Sequence, residues 1–467
     1  MVAVHAVGFP ARLMSTYCLP SLFAPASVAV IGGSPRERSI GRAVLRNLQA
    51  GGFTGPIGLV NPRHAQIEGI AAVARVEDLP FVPELVVIAT PAAMVPKYGK
   101  AAAERGASAA IVLGTGLGQG EGSFAAELQA IARAHGMRLA GPSSLGVIAP
   151  HARLNASFAA HTPQPGDIAL ISQSAAIAAA LVEWGAGRSI GFSAVAALGD
   201  ALDVDFADLL DYFARDRHTR AILLYVESIR DARKFMSAAR AAARLKPVVV
   251  VKSGPHAPRA SAPGPHAAAL ASPDAVYSAA FHRAGMLRVR ALNELFSAAE
   301  ALSRVDTLPG RRLAIFANGR GTGSLAADRL LDMGGTLATL SDDTREAMRA
   351  IASSAWPGTN PVDFYGDVDN ASYAAAFQAL ASDAGNDAVL VLNVPTALIG
   401  ADSRAAALAQ ARDALPRHLA RKPVFAVWLG ADDAAADRLN AARIPNYPTE
   451  ADAVRGFMYL VRHREAK

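Results

Sequence analysis

The sequence predicts an α/β protein of three consecutive doubly wound domains, and three observations predict it. Short apolar runs alternate with Ala-rich helical stretches along most of the chain, an order that calls for parallel sheets with crossover helices. Three times, the first strand of a unit ends in glycines or serines just where a helix begins. The length, 467 residues, suits about three domains at roughly 150 residues each.

Composition narrows the class. Hydrophobic residues make up 52% of the chain and charged ones 18%, which excludes a disordered chain and supplies material for buried cores. No apolar run reaches the roughly 18 residues of a membrane span. A single cysteine, Cys18, excludes a disulfide framework or a multi-cysteine metal site, and no metal site is expected. The N-terminus lacks the basic, apolar and small-residue segments of a secretory signal, so a cytoplasmic protein is expected. The net charge of +6 suits a small polyanionic ligand. The chain lacks the clustered Lys/Arg with interleaved aromatics that nucleic-acid binding needs.

Residues 1–18 carry no pattern and read as an N-terminal extension. The first unit, 19–150, has predicted strands at 27–31, 57–60, 85–89, 109–113 and 137–140. The second, 151–305, has them at 166–170, 192–198, 221–226 and 247–251, after a Pro-, His- and Asn-bearing linker at about 150–165. The third, 306–467, opens after the Leu308-Pro309-Gly310 turn, with strands at 312–317, 388–393 and 423–428.

In the first unit, Val28-Ala29-Val30-Ile31 runs into Gly32-Gly33-Ser34, and a helix begins near Gly41. A glycine turn lets the backbone approach a diphosphate, and the helix N-terminus supplies N–H groups and positive partial charge. The spacing departs from G-x-G-x-x-G, so a tight turn without ligand stays open. NAD-binding units usually end the second strand with Asp or Glu. Here it ends Val60-Asn61-Pro62-Arg63-His64, which favours a nucleotide with an extra phosphate, NADP or coenzyme A. The third strand ends Ala89-Thr90-Pro91, a small polar rim that a long thin ligand can cross.

In the second unit, the strand at 168–171 ends Ser172-Gln173-Ser174-Ala175. The serines read either as a helix cap or as part of an anion site. Neighbouring strands end in Leu198-Gly199-Asp200 and in Val226-Glu227-Ser228, which a parallel sheet brings to one edge. Lys252-Ser253-Gly254 leads into a Pro/Gly/Ala loop bearing His266. A histidine there is either a surface residue or a nucleophile able to accept a phosphoryl group, with Glu227 able to orient the ring. In the third unit, Asn318-Gly319-Arg320-Gly321-Thr322-Gly323-Ser324 opens a helix. It reads as a phosphate cradle or a flexible turn, with Asn360-Pro361-Val362-Asp363 and Gly366-Asp367 on the neighbouring edge.

Taken together, the chain resembles the alpha part of the NDP-forming acyl-CoA synthetases, typified by ADP-forming acetyl-CoA synthetase and related to succinyl-CoA synthetase. The resemblance covers about residues 20–463. It rests on the stretches above together with Gly141-Pro142, Leu154-Asn155-Ala156-Ser157-Phe158, Asp203-Val204-Asp205-Phe206 and Asp452-Ala453-Val454-Arg455-Gly456-Phe457. It implies an N-terminal Rossmann-like CoA-binding domain followed by two flavodoxin-like doubly wound domains. Gly32, Gly33, Ser34, Arg63, Thr90 and Pro91 would line CoA. Pro265-His266-Ala267-Ala268-Ala269-Leu270-Ala271 stands where the family usually reads Ser-His-Thr-Gly-Ala-Leu-Ala, which places His266 at the phosphorylated histidine and Glu227 at its supporting carboxylate. Ser172, Gln173 and Ser174, with Gly319, Gly321 and Gly323, would hold phosphate at two helix starts facing that histidine.

The sequence also departs from the family pattern. Ala175 replaces the Gly after Ser-Gln-Ser, and Asp200 replaces the Asn of Leu-Gly-Asn. Ser143-Ser144 stand for Asn-Cys, and Ala267-Ala268 for Thr-Gly. The three units leave no place for the ATP-grasp domain that carries ADP and magnesium. The implied activity is therefore that of an alpha subunit, or a piece of a longer protein, inactive alone. With an ATP-grasp partner it would interconvert acyl-CoA, ADP and phosphate with a small organic acid, CoA and ATP, and an oligomer is expected. The alternative is a catalytically impaired CoA or acyl-CoA sensor regulating a partner such as a lysine acetyltransferase domain.

Overall fold

The computed structural model describes residues 16–253, 274–306, 308, 310–352, 354, 356–364, 368–416, 419, 422–430 and 433–465. Within them the first sheet comprises β1 (Val28–Ile31), β2 (Ile57–Val60), β3 (Gln66–Ile67), β4 (Ile70–Val73), β5 (Leu85–Ile88), β6 (Ala109–Val112) and β7 (Arg138–Ala140). Their order is β3-β4-β2-β1-β5-β6-β7, parallel except for the β3–β4 pair. Every residue of β1, β5 and β6 is buried, as expected of β-branched runs covered on both faces by crossover helices.

The second sheet comprises β8 (Gly146–Ala149), β9 (Leu154–Ser157), β10 (Pro165–Ser172), β11 (Phe192–Ala197), β12 (Ala221–Val226), β13 (Val248–Lys252) and β14 (Leu287–Val289). Its order is β14-β13-β12-β10-β11-β8-β9. Strands β10 to β13 pair in parallel, and the hairpin β8–β9 adds antiparallel to β11. Strand β9 falls inside the stretch read as a linker. Its Leu-Asn-Ala-Ser composition hides it, because the polar side chains are satisfied locally. Ser157 Oγ donates to Asn155 Oδ1 at 2.6 Å, and Asn155 Nδ2 donates to Thr162 Oγ1 at 2.7 Å.

The third sheet comprises β15 (Arg312–Ala317), β16 (Thr336–Leu337), β17 (Val362–Asp363), β18 (Ala388–Asn393), β19 (Val424–Trp428) and β20 (Asn446–Tyr447). The order is β16-β15-β18-β19-β20, with β17 also paired to β15. All these pairs are parallel.

Each sheet turns back at one strand. From β1 the chain goes to β2 on one side and β5 on the other; β10 stands likewise between β11 and β12, and β15 between β16 and β18. Such switch points leave a crevice at the carboxyl ends of the strands, where α/β proteins bind ligands. The three loops that the sequence picks out follow these three strands.

The chain divides into two compact units, 1–288 and 289–467. Inside the first, an ion network centred on the buried Asp208 ties β7 to the helices Phe206–Arg215 and Ala232–Leu245. Arg138 Nε donates to Asp203 Oδ2 at 2.9 Å, and its guanidinium reaches Asp208 Oδ2 at 3.0 Å. Lys234 Nζ closes the network on Asp208 Oδ1 at 2.8 Å and Asp205 Oδ2 at 3.1 Å. Removing one member of such a network leaves an uncompensated buried charge.

Candidate functional site

The first loop is shaped by close backbone approach. Gly32 has φ +96°, and a Cβ there would lie 2.5 Å from the Ala89 carbonyl oxygen and 2.7 Å from Thr90 Cγ2. Only glycine fits both the dihedral and the space. Ser39 caps the helix Ile40–Ala50 by accepting from the Arg42 N–H at 3.4 Å, and its hydroxyl also accepts from the Ser34 N–H at 3.1 Å. Asn61, at the end of β2, reaches across to donate to the Gly33 carbonyl. Its Oδ1 accepts from the N–H groups of Arg63, at 2.7 Å, and His64, at 3.1 Å. Arg63 and Pro91 are exposed, and Ser34 and Thr90 are half-buried. Thr90 Oγ1 is buried with no hydrogen-bond partner. A buried hydroxyl of that kind costs free energy until something pairs with it. These residues fit a diphosphate-bearing ligand, with an orphan hydroxyl and a glycine cradle on one rim and an exposed guanidinium on the neighbouring strand end.

The second loop is more fully engaged. Ser174 caps the helix Ala175–Ala186, accepting from the Ile177 N–H at 3.3 Å, and Ser172 Oγ donates to the Ser174 carbonyl at 2.7 Å. The Ser174 hydroxyl thus caps the helix, while that of Ser172 closes the turn before it. The first N–H groups of a helix lack intrahelical partners, and those of Ala175 and Ala176 precede the one that Ser174 takes. Gln173 has a role that sequence reasoning missed. It is buried, and its Oε1 accepts from the N–H of Glu227 at 2.6 Å and of Ser228 at 2.9 Å. It fixes the backbone of Glu227 to the end of β10.

Beside Glu227 lies a second residue to which sequence reasoning assigned no role. Lys252 pairs in register with Val226 and is only 4% exposed. Its ammonium sits 4.7 Å from the centre of the Tyr277 ring and donates to the Ser253 carbonyl. Burial pushes this ammonium below the ordinary lysine range, and the nearby Asp274 and Glu227 carboxylates partly oppose that. His266 and the residues after Ser253 up to 273 lie outside the described residues, as do Gly366 and Asp367.

In the third loop, Gly319 is the N-cap of the helix Arg320–Asp332 and supplies no side-chain cap. A Cβ on Gly321 would meet nothing within 4 Å, whereas one on Gly323 would press on Pro361 at 3.3 Å. Asn318 joins β15 to the end of β18, donating to the Val394 carbonyl and accepting from its N–H, both at 2.7 Å. Asn360 is turned into the sheet, where it donates to Leu313 O at 2.7 Å and accepts from Ile315 N at 2.9 Å.

A cleft of about 570 Å³ opens in the first unit. Its lining includes Gly118 and Gln119 after β6, Pro142 after β7, Asp200 after β11, and Ser228 and Arg230 after β12. The volume lies in the range of small-molecule sites. Loops of the first and second sheets meet here, one residue beyond Glu227.

Comparison with known proteins gives a consistent picture. Residues 26–150 match the CoA binding domain family, and residues 165–302 match the succinyl-CoA ligase-like flavodoxin domain. The chain is 35% identical over 456 residues to the alpha subunit of ADP-forming acetate–CoA ligase I of Pyrococcus furiosus, covering 95% of this chain and 97% of that one. It is 33% identical to ADP-forming acetate–CoA ligase I of Archaeoglobus fulgidus, of which it spans 63%. Among solved structures it resembles the dinucleotide-forming acetyl-coenzyme A synthetase 1 of Candidatus Korarchaeum cryptofilum in complex with phosphate and ADP. There the TM-score is 0.89 at 30% identity, covering 97% of this chain and 98% of that one.

Proposed function

Because the chain belongs to the NDP-forming acyl-CoA synthetase family, we propose that it is the alpha part of an ADP-forming acid–CoA ligase acting through phosphorylated His266. The acyl-CoA thioester sits on the first domain. Inorganic phosphate attacks the thioester carbonyl, its P–O oxygen forming the new C–O bond as the C–S bond breaks, and CoA leaves as the thiolate. The acyl phosphate then gives its phosphoryl group to the imidazole of His266. A P–N bond forms, the P–O bond to the acyl oxygen breaks, and the free acid departs. ADP on an ATP-grasp partner, a beta subunit or a further domain, takes the phosphoryl group from the histidine, and magnesium belongs to that partner. Covalent transfer lets the thioester and nucleotide centres stay apart.

The residues of this chain supply positioning and charge. Gly32, Gly33 and Ser34 bring backbone to the diphosphate, Thr90 and Pro91 form the opposite rim, and Arg63 meets the extra phosphate. In the first unit, the helix that opens after Ser172, Gln173 and Ser174 presents its first turn, with about half a positive charge, to the phosphoryl group. In the second unit, Gly319, Gly321 and Gly323 are assigned to phosphate on the same ground. Glu227, its backbone fixed by Gln173, holds the imidazole and supports positive charge on it during transfer.

The observation that carries the CoA assignment is the orphan Thr90 hydroxyl beside the glycine cradle. Calorimetry on the whole chain is the test. CoA binds and NAD binds little, and Arg63→Glu weakens CoA at least about tenfold. Equal NAD binding, or normal CoA binding by Arg63→Glu, overturns the assignment. For His266, incubation with radiolabelled ATP and the ATP-grasp partner gives an acid-labile, base-stable label in the wild type and none in His266→Ala. Label that persists in His266→Ala removes the histidine from its role.

A further inference from the structure

Two of the departures from the family pattern, Ser143 and Asp200, are 57 positions apart in sequence and touch in the structure. Ser143 Oγ donates to Asp200 Oδ2 at 3.0 Å. The surrounding backbone holds this pair rigidly. Gly199 has φ +54°, and a Cβ there would lie 2.0 Å from the Pro142 carbonyl oxygen. The Asp200 N–H donates to that same oxygen at 2.9 Å, Leu202 N–H to Gly141 O at 3.0 Å, and Ser143 N–H to Gly114 O at 2.9 Å. Three loops from two sheets are laced together, and Asp200 is carried on the lacing, half-buried, at the wall of the 570 Å³ cleft.

The cleft is lined by loops of both sheets at the carboxyl ends of their strands and reaches Ser228, one residue beyond Glu227; assigning it to the acyl group rests on the CoA reading above. A ligand anchored at Gly32–Ser34 and Thr90 on the first sheet, with its reacting end near Glu227 on the second, crosses the space between them. Among the described residues, most of the lining is small or apolar, and Asp200 and Arg230 are its charged side chains. Gln129 Nε2 donates to the Leu202 carbonyl at 2.6 Å, and Arg230 donates to the Ala201 carbonyl at 3.1 Å. A carboxylate has about four acceptor sites, so Asp200 retains acceptor capacity beyond the bond from Ser143. A plain alkyl acyl group pressed against it would strip water from a charge and return nothing.

We infer that Asp200, held by Ser143, makes the cleft selective for acyl groups that carry a hydrogen-bond donor, a hydroxyl or an amino group, over unsubstituted acyl groups of the same size. A site built around a hydrogen bond discriminates against the analogue lacking it far more strongly than an apolar pocket separates neighbours by size.

The test is calorimetry on the whole chain with CoA, propionyl-CoA, 2-hydroxypropionyl-CoA, 3-hydroxypropionyl-CoA and 3-aminopropionyl-CoA. In the wild type, at least one donor-bearing thioester binds about 10- to 100-fold tighter than propionyl-CoA. In Asp200→Ala that ratio falls to within about threefold of unity. Asp200→Asn, which keeps the shape, loses the preference for the amino compound. Thermal melts of both variants separate misfolding from lost recognition, and if Asp200→Ala does not fold, Asp200→Asn decides. Equal binding of all four thioesters by the wild type, a preference that survives in folded Asp200→Ala, or an amino preference that survives in folded Asp200→Asn, overturns the inference. CoA alone reports on the reading beneath it. If CoA binds and the thioesters are not distinguished, only the acyl selectivity falls. If CoA itself does not bind, the CoA assignment falls and the selectivity with it.

Discussion

The loops after β10 and β15 occupy equivalent places, each following a switch-point strand and opening a helix, yet they solve the same local problem differently. After β10, a serine caps the helix and a second serine closes the turn. After β15, a glycine stands at the cap with no side chain to offer, and Gly321 faces open space. Both use a side-chain amide to fix the neighbouring strand end, Gln173 on the backbone of Glu227 and Ser228 and Asn318 on that of Val394. The first loop does the same through Asn61. The common part is the amide that holds two strand ends in register. The variable part is how much of the helix start is left for a ligand, little after β10 and more after β15.

The largest expected break in this comparison is Gln173→Leu. It leaves the N–H groups of Glu227 and Ser228 without their acceptor, which at roughly 1–3 kcal/mol per group costs about 2–6 kcal/mol, toward the lower end because both residues are half-buried. The first unit should melt several degrees lower, and phosphohistidine labelling with the partner should fall with it. Asn318→Leu should damage only the second unit, and a calorimetric scan in which it lowers the first transition instead would undo the equivalence. Ser174→Ala comes next, at about 1 kcal/mol for a lost N-cap, with a lower melting temperature and reduced labelling. Gly321→Ala goes the other way. The added methyl has room, and alanine in a helix is favoured over glycine by up to about 1 kcal/mol, so stability should rise while labelling falls. A variant that gained stability and kept full labelling would mean phosphate does not approach there.

The smallest effect concerns Lys252, the buried cation beside the second loop. Burial lowers the pKa of Lys252 in the fold, while the unfolded value is about 10.4. Between the two values the unfolded chain holds more protons. The contribution to stability therefore rises with pH through that window, from the folded value up to the unfolded one. The difference in melting temperature between wild type and Lys252→Met should shift in favour of the wild type as pH rises toward the unfolded lysine value of about 10.4. A constant difference across that range would show that the ammonium is not desolvated.

Most of the parallel strands and all three loops were legible in the sequence because each loop breaks a β-branched run with glycine or serine at a helix start. The short strands β3, β4, β16, β17 and β20 were not, since two to four residues carry no periodicity, and β9 was hidden by its polar composition. The amide staples left no signal either. Gln173 and Asn318 look like ordinary loop polars until the strand ends they join are placed side by side. Ser143 and Asp200 read as two separate departures, and only the fold shows them as one contact. The relatives named above are ligases, on the side of catalysis and not of regulation, so a paired replacement fits altered substrate choice better than decay.

The Arg138 network has a consequence for reach. By pinning β7 to two helices of the second sheet through Asp203, Asp208 and Lys234, it sets the interval between the glycine cradle on one sheet and the strand ends of Glu227 and Asp200 on the other. For a thioester held as proposed, that interval would act as a gauge: one end of the ligand reaches the other site only if its covalent length matches the spacing the scaffold sets.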